Sequence, residues 1–314
     1  MPVSQPSTGS TAATPSWTVG DLVVHRIDEV KLPPQTGAWL LPAATPDVVG
    51  QVPWLTPSFA DDEGTLHLAS HSFALKVNGL RALIDTGIGN GKTRANPAWH
   101  NLDTDYLQRL IDAGFAPETV DLVILTHLHT DHVGWNTREV NGEWVPTFTN
   151  ARYITSTTEW DYWAGVDLEE PRRQMFRDSI YPIRDAGLLS LVEVPRSTAA
   201  GGSGIEVAPG IRLFATPGHT PGHVAVELAD AGESAVITGD LIHHPVQLPH
   251  PHITSRVDID APLAAATRRD LMSALVGSDV LVLGSHFPPP TAGRIAFTEH
   301  DYRLVPTPSS DVTA

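Results

Sequence analysis

Residues 126–132, with the sequence THLHTDH, constrain this chain more than any other stretch because they place three imidazoles and a carboxylate close together. They directly follow a run of four apolar residues, which predicts a buried strand. On leaving a strand, His127 and His129 can point to the same side and bind one ion, whereas the side chains of Asp131 and His132 diverge at the following turn. Zinc binds imidazole nitrogen at about 2.0–2.1 Å and carboxylate oxygen at about 2.0–2.2 Å, so a single ion could bind all four side chains only with a strained backbone. The stretch therefore predicts a metal site, and it suits two neighbouring ions better than one.

Length and composition predict one large domain. The chain has 314 residues, of which 41% are hydrophobic, enough for a sizeable core. We expect a disordered arm at residues 1–16, a single domain at 17–305 and a tail at 306–314. No apolar run approaches the roughly 18 residues of a membrane span, and the N-terminus lacks a basic segment followed by an apolar one. A cytoplasmic protein without a membrane partner is expected, although an export signal already removed would leave no trace.

Charge and cysteine content restrict the partners and the ligands. A formal net charge of −16 and an isoelectric point near 5.2 would repel a phosphate backbone, so no nucleic-acid partner is expected. The chain has no Cys, so neither a disulfide nor a thiolate ligand is available. Any metal must be held by His and carboxylate groups.

Three predicted strands of the second half lead to the same kind of residue as the first cluster. The apolar runs at 211–215, 235–238 and 280–283 are followed by metal-binding residue types, namely His219, Asp240 and His286. The ends of such strands can meet at one edge of a sandwich of sheets. We therefore expect these three residues to join the cluster at 126–132.

The remaining pattern predicts a mixed sheet structure with helices. Asn78-Gly79 and Asn141-Gly142 are typical hairpin turns. The expected strands are 23–27, 66–68, 73–77, 81–84, 137–140 and 143–145. One expected helix is capped by Asp103 or Thr104 and ended by Gly114. A second is capped by Asp260 and has four residues on one face, Leu263, Thr267, Leu271 and Leu275.

Two loops have more than one possible role. Asp85 begins a Gly-rich turn, and its carboxylate is predicted either to support the metal ligands or only to bond within its own turn. The Pro-rich residues 32–57 are predicted to cover a pocket, to form the contact of a homodimer, or to pack as an ordinary surface loop.

Large aromatic residues lie close to the cluster in sequence. Trp135, Trp163 and Phe287 are candidates to contact a substrate or to support the ligands. The alternative for each is a place in the ordinary core, where large aromatics are common.

The pattern H-x-H-x-D-H at 127–132, followed by Gly-His at 218–219, Gly-Asp at 239–240 and Ser-His at 285–286, resembles the metallo-β-lactamase superfamily. The resemblance runs from about residue 23 to residue 294 and implies an αββα sandwich, two mixed β-sheets flanked by helices. It also implies two metal ions. By position, His127, His129 and His219 would hold the first ion, Asp131, His132 and His286 would hold the second, and Asp240 would bridge them.

Within that superfamily, the segment 239–247 and the ending 284–288 look most like methyl-parathion-hydrolase-like enzymes and acyl-homoserine lactonases. The best-known lactonases carry a Tyr three residues after the bridging Asp, where this chain has His243. That His is expected to support Asp240 or to contact the substrate. The alternatives are a thioesterase similar to glyoxalase II, although only Arg294 and Arg303 supply positive charge after Arg269, and a metal-binding protein without catalysis.

The chemistry implied is hydrolysis of lactones or carboxylic esters by a hydroxide shared between two ions, with phosphotriesters as a further substrate class. Asp131 and Asp240 are the expected catalytic carboxylates. Asp131 would orient the hydroxide and later pass a proton to the leaving group. Zn²⁺ is the first expectation for the ions, and Mn²⁺, Fe²⁺ or Co²⁺ would also suit imidazole and oxygen ligands.

Overall fold

The computed structural model describes residues 14–195, 204–298 and 301–312. Its strands are β1 Thr14–Val19, β2 Leu22–Lys31, β3 Ala69–Val77, β4 Leu80–Ile84, β5 Leu122–Ile124, β6 Thr137–Val140, β7 Glu143–Pro146, β8 Arg152–Ser156, β9 Leu189–Val192, β10 Ile205–Ala208, β11 Ile211–Ala215, β12 Val224–Asp230, β13 Glu233–Ile237, β14 Leu281–Leu283, β15 Ala292–Thr298, β16 Asp301–Pro306 and β17 Ser310–Val312. Its α-helices are α1 Gln35–Leu40, α2 Pro46–Gly50, α3 Tyr106–Asp112, α4 Thr157–Gly165, α5 Glu170–Met175, α6 Tyr181–Asp185 and α7 Ala261–Leu275. No helix of the described part is long and apolar enough to cross a membrane.

The strands form two large mixed sheets and one separate hairpin. The first sheet has the order β17-β1-β2-β3-β4-β5-β8-β9, and the second has the order β10-β11-β12-β13-β14-β15-β16. In the first sheet β5 runs parallel to both β4 and β8, and in the second β13 runs parallel to β14. The hairpin of β6 and β7 turns at Asn141-Gly142, as predicted.

Apolar side chains fill three layers around these sheets. Between the sheets, residues such as Phe73, Ile124, Val226 and Leu283 form one buried cluster. Outside the first sheet a second cluster includes residues of α3 and α4, and outside the second sheet a third includes residues of α7 and of the segment 32–60. Burying one such large side chain stabilises the fold by about 1.5–3 kcal/mol. The predicted αββα sandwich is therefore confirmed.

Several predicted boundaries differ from the observed elements. Leu66 forms only an isolated bridge with Ala60, so the predicted strand at 66–68 is wrong. The first predicted helix begins at Tyr106, and Asp105 stands at its N-cap without a capping side-chain bond. By contrast, the side chain of Asp260 accepts the N–H of Leu263 and caps α7 as predicted.

The ends of the domain also extend beyond the predicted limits. β1 begins inside the predicted arm and pairs with β17, which lies inside the predicted tail. Residues 1–13 of that arm lie outside the described residues. The first sheet therefore gains its outermost strand from the far end of the chain.

The Pro-rich segment 32–57 packs on its own protomer. Its apolar residues, among them Leu41, Val49 and Leu55, are buried in the cluster outside the second sheet. Trp39 is the most exposed large apolar side chain of the segment, with 50% of its surface exposed.

Candidate metal centre

Seven His and Asp side chains meet where strands of both sheets end. The loop after β5 in the first sheet supplies four of them, and the loops after β11, β13 and β14 in the second sheet supply one each. Parallel strands deliver their C-terminal loops to the same edge, which is why residues so distant in sequence converge. The ligand atoms form two groups in which all atoms lie within 4.8 Å of one another: His127, His129, His219 and Asp240, and Asp131, His132 and His286.

Asp240 lies between the two groups. Its Oδ1 is 3.1 Å from Nε2 of His132 and 3.0 Å from Nε2 of His286. Its Oδ2 is 3.3 Å from Nε2 of His219 and 3.7 Å from Nε2 of His127. One carboxylate oxygen therefore faces each group.

The atoms of this cluster fit divalent metal ions. Nε2 of His127, Nε2 of His132 and Oδ1 of Asp240 are buried and have no well-directed hydrogen bond to any part of the chain that the structure describes, which is costly unless another group satisfies them. Burial lowers the pKa of His127 and His129 well below the usual value, so both rings are neutral and keep a free lone pair. Buried imidazole and carboxylate atoms converging in this way suit zinc and similar ions.

Three of the imidazoles are held through Nδ1 and present Nε2 to the centre. Nδ1 of His132 donates to Oδ2 of Asp85 at 2.8 Å, and Nδ1 of His219 donates to Oδ1 of Asp258 at 2.8 Å. Nδ1 of His286 donates to a backbone carbonyl, that of Ala69, at 2.9 Å. Such partners fix which nitrogen faces a metal.

Asp85 supports the cluster, as one of its two predicted roles required. Its carboxylate accepts the backbone N–H of Thr126 at 2.8 Å as well as the Nδ1–H of His132. Burial alone would lower the pKa of His132, but the carboxylates of Asp240 and Asp85 raise it well above the usual value.

Two further histidines touch Asp240. His223 accepts the backbone N–H of Asp240 at Nε2, 2.9 Å away, so its Nδ1–H is the donor to the Thr216 hydroxyl at 2.7 Å. His243 lies with Nε2 3.3 Å from Oδ2 of Asp240, and its ring is parallel to that of His286 with centroids 6.0 Å apart. Both ring nitrogens of His243 are buried and make no well-directed hydrogen bond within the described residues.

The aromatic candidates separate into one at the site and two in the core. The ring of Trp163 lies edge-on to His129 with centroids 5.8 Å apart. Trp135 instead stacks on Tyr106 at 5.4 Å, and Phe287 packs edge-on against Phe59 at 6.5 Å. Trp135 and Phe287 are almost fully buried in the core, where large aromatic surfaces gain most, and their contact with a substrate or support of the ligands stays a prediction.

Sequence reasoning missed three buried carboxylates around the cluster, Glu29, Glu159 and Asp258. Asp258 orients His219, and each glutamate accepts four hydrogen bonds. Burial raises the pKa of both glutamates, and their hydrogen bonds oppose that shift. No motif marks these residues, since each is an isolated acidic position whose partners come from distant parts of the chain.

Comparison with known proteins points to one superfamily. A family model described as the metallo-β-lactamase superfamily matches residues 67–286, more than half of the chain. An N-acyl homoserine lactonase of Bacillus thuringiensis is 27% identical over 124 residues, which are 40% of this chain and 39% of that protein. A lactonase of the same description from Bacillus sp. is 30% identical over 110 residues, 35% of this chain and 33% of that protein. The matched region thus spans well under half the length of these relatives.

Two solved structures are similar over almost the whole chain. One is AidC, a dizinc quorum-quenching lactonase in complex with a product, N-hexanoyl-L-homoserine, with a TM-score of 0.73 and 19% identity over 94% of this chain and 98% of that one. The other is the hydrolase AbOPH of the β-lactamase superfamily, with a TM-score of 0.73 and 24% identity over 96% of this chain and 100% of that one. At these identities the likeness concerns the fold.

Proposed function

Because the chain belongs to the metallo-β-lactamase superfamily, we propose that it is a metal-dependent hydrolase that opens lactones or cleaves carboxylic esters. The position of Asp240, with one oxygen towards each group of ligands, is the observation that carries the proposal. The partial sequence matches to N-acyl homoserine lactonases favour lactones as the substrate class.

We assign two divalent ions to the centre, Zn²⁺ before Mn²⁺, Fe²⁺ or Co²⁺. His127, His129 and His219 would hold one, Asp131, His132 and His286 would hold the other, and Asp240 would contact both. Such ions supply Lewis acidity and make water a stronger acid. The same chemistry acts on a phosphoryl oxygen, so phosphotriesters are included as a slower substrate class.

We assign Asp131 the role of proton carrier. Its side chain keeps 14% of its surface exposed, whereas that of Asp240 keeps 5%, so Asp131 is the more accessible of the two carboxylates. In ester hydrolysis, water adds to the carbonyl carbon, the bond from carbon to the leaving oxygen breaks, and that oxygen needs a proton. A carboxylate oxygen of Asp131 would take the proton from water and deliver it to the leaving oxygen.

His243 and Trp163 would border the substrate. Nε2 of His243 lies 3.3 Å from Oδ2 of Asp240 and makes no well-directed hydrogen bond with a described residue, so it can either hold that carboxylate or turn to an oxygen of the substrate. The edge-on contact of Trp163 with His129 puts an apolar surface beside the first group of ligands. An acyl chain is the substrate part that such a surface suits.

The thioesterase alternative receives no support from the two C-terminal arginines. Arg294 bonds to the carbonyl of Asp279 on the surface, and Arg303 lies over the ring of Trp54. Among the described contacts, neither arginine touches the centre.

Metal analysis combined with a substrate panel tests the proposal. Purified protein should hold about two ions per chain and hydrolyse a homoserine lactone or an aryl ester faster than an aryl phosphotriester or a glutathione thioester. The variant D131N should lose most turnover and hold the second ion more weakly, because it changes both the proton carrier and a ligand of that ion. A metal-loaded protein inert to all four substrates would favour the non-catalytic alternative, and fast turnover of the glutathione compound alone would favour the thioesterase.

A further inference from the structure

Glu159 is a buried carboxylate beside the first group of ligands. Among the described contacts it makes no hydrogen bond to a ligand side chain, but it bonds to the backbone of the loops that carry the ligands. It lies in α4 and is fully buried. Its Oε1 accepts the backbone N–H of Leu128 at 3.0 Å and the indole N–H of Trp163 at 2.7 Å. Its Oε2 accepts the hydroxyl of Thr220 at 2.6 Å and the backbone N–H of Gly222 at 3.2 Å. All four partners are donors, which suits an ionised carboxylate.

These partners belong to the two loops that hold the first group of ligands. Leu128 stands between His127 and His129, and Thr220 follows His219. The carbonyl of Leu128 is held as well, because it accepts a guanidinium N–H of Arg172 at 3.1 Å. The peptide units on both sides of Leu128 are therefore anchored from α4 and α5.

The loop after β11 has no room to move towards α4. A Cβ atom added to Gly222 would lie 2.0 Å from the backbone nitrogen of Glu159, so only glycine allows this approach. The hydroxyl of Ser156, which caps α4 by accepting the N–H of Glu159, also donates to the carbonyl of Gly222 at 2.6 Å. The contact thus fixes the distance between a strand end of the first sheet and a loop of the second.

Glu29 occupies the equivalent place beneath the other group. One of its oxygens accepts the N–H of Ile88 at 2.7 Å and the hydroxyl of Ser70 at 3.0 Å, and the other accepts the N–H of Gly89 at 2.9 Å and the indole N–H of Trp135 at 2.8 Å. Ser70 is adjacent to Ala69, whose carbonyl holds His286. Ile88 and Gly89 continue the turn of Asp85, which holds His132.

We infer that each half of the centre is positioned by its own buried glutamate, Glu159 for the loops of His127, His129 and His219, and Glu29 for the loops that support His132 and His286. The consequence for metal loading rests on the proposed function, whereas the effect on the loops does not. Both are positioning residues, since each acts on the ligands through the backbone and through neighbouring side chains.

Replacing Glu159 by Gln should affect its two pairs of donors differently. Its single carbonyl oxygen satisfies one pair of donors and its NH₂ group faces the other pair. The hydroxyl of Thr220 can turn and accept from that NH₂, whereas Leu128 and Trp163 offer only donors. The carbonyl should therefore stay with Leu128 and Trp163, leaving the N–H of Gly222 without an acceptor.

Hydrogen exchange of the metal-free protein tests this at single amides. E159Q should speed exchange at Gly222 by about tenfold and leave Leu128 unchanged, while E159M should speed both. E29Q should speed exchange at the amide of Ile88 or Gly89, and exchange at Leu128 and Gly222 should stay as in the wild type. D161N, which removes an exposed carboxylate of the same helix, is the matched control and should change the exchange of none of these amides.

A milder variant covers the case in which E159M does not fold. T220V removes one donor and keeps the side-chain shape, so it should speed hydrogen exchange at the amide of Gly222 and leave exchange at Leu128 unchanged. Equal changes at all reporter amides in E159Q, or none, would overturn the inference.

Zinc retained after dialysis against a chelator gives the second readout. E159M should lose the first ion at a chelator concentration about tenfold lower than the wild type, with the second ion unaffected, and E29Q should show the reverse. Retention of both ions as in the wild type would refute the link to metal binding. If the wild type binds no metal, the proposed function fails, and the exchange measurements still decide the positioning of the loops.

Discussion

The substitution of Asp258 by Asn measures how much the orientation of one imidazole contributes to metal affinity. Oδ1 of Asp258 accepts the Nδ1–H of His219 at 2.8 Å, and Oδ2 accepts the backbone N–H of Ser255 at 2.7 Å. The side chain is fully buried, so water cannot replace either bond. An Asn has the same shape and one acceptor, so its NH₂ group must face a donor on one side.

Either orientation of the amide weakens the centre. If the carbonyl stays with His219, the N–H of Ser255 is lost, which costs about 1–3 kcal/mol of unfolding free energy. If the amide turns, its NH₂ donates to Nδ1 of His219 and the ring proton moves to Nε2, the atom that should bind the ion. Removing the partner of a metal-binding His typically costs 10–100-fold in affinity, which corresponds to about 1.4–2.8 kcal/mol.

Competition for zinc with a chromophoric chelator, at fixed pH, measures this loss. Asp260, two residues along the same loop, provides the control, because Asn caps a helix as well as Asp does and D260N should bind zinc within about twofold of the wild type. Equal zinc affinity of D258N and the wild type would refute the view that Asp258 fixes the ring of His219.

Three further predictions concern the bridge, the glycine before it and the exposed surface. D240N should lower zinc content and reduce turnover at least about tenfold, since one neutral oxygen cannot serve both groups; full activity would exclude the bridging role. G239A places a Cβ 2.5 Å from Nε2 of His223 at a backbone φ of +52°, so urea unfolding should show a loss of about 1–3 kcal/mol. If residues 32–57 form a homodimer contact, exposed Trp39 is its centre, and W39S should sediment as a monomer where the wild type sediments as a dimer; a monomeric wild type would exclude the contact.

The metal-type residues were predictable because each follows an apolar strand. The strand ends after β5, β11, β13 and β14 could be located from runs of buried residues, and chain direction then delivers their loops to one edge. Asp85 was predictable for the same reason, since it follows β4, the parallel neighbour of β5. Local pattern and sheet geometry were sufficient for this part of the site.

The supporting carboxylates depend on packing that no local pattern contains. Glu159 reads as an ordinary helix residue, and only the folded chain brings it to Leu128 and Gly222, which lie 31 and 63 positions away. Trp135 lies close to His132 in sequence, yet its indole N–H bonds to Glu29 in the core, so closeness to the motif does not distinguish a substrate contact from a core residue. Closeness in sequence to the motif therefore predicts the metal ligands better than it predicts the residues that surround them.

The arrangement of the centre links metal binding to folding. Ring nitrogens of His127, His132 and His243 and one oxygen of Asp240 are buried and find no well-directed hydrogen bond among residues 14–195, 204–298 and 301–312, so they oppose folding while nothing binds them. Ions that satisfy these atoms bind the folded chain in preference to the unfolded one, and they therefore raise its stability by mass action. They would also join the loop after β5 in the first sheet to loops of the second, in addition to the apolar cluster between the sheets. The polar atoms that weaken the core at this edge are thus the ones that make it suitable for hydrolytic chemistry.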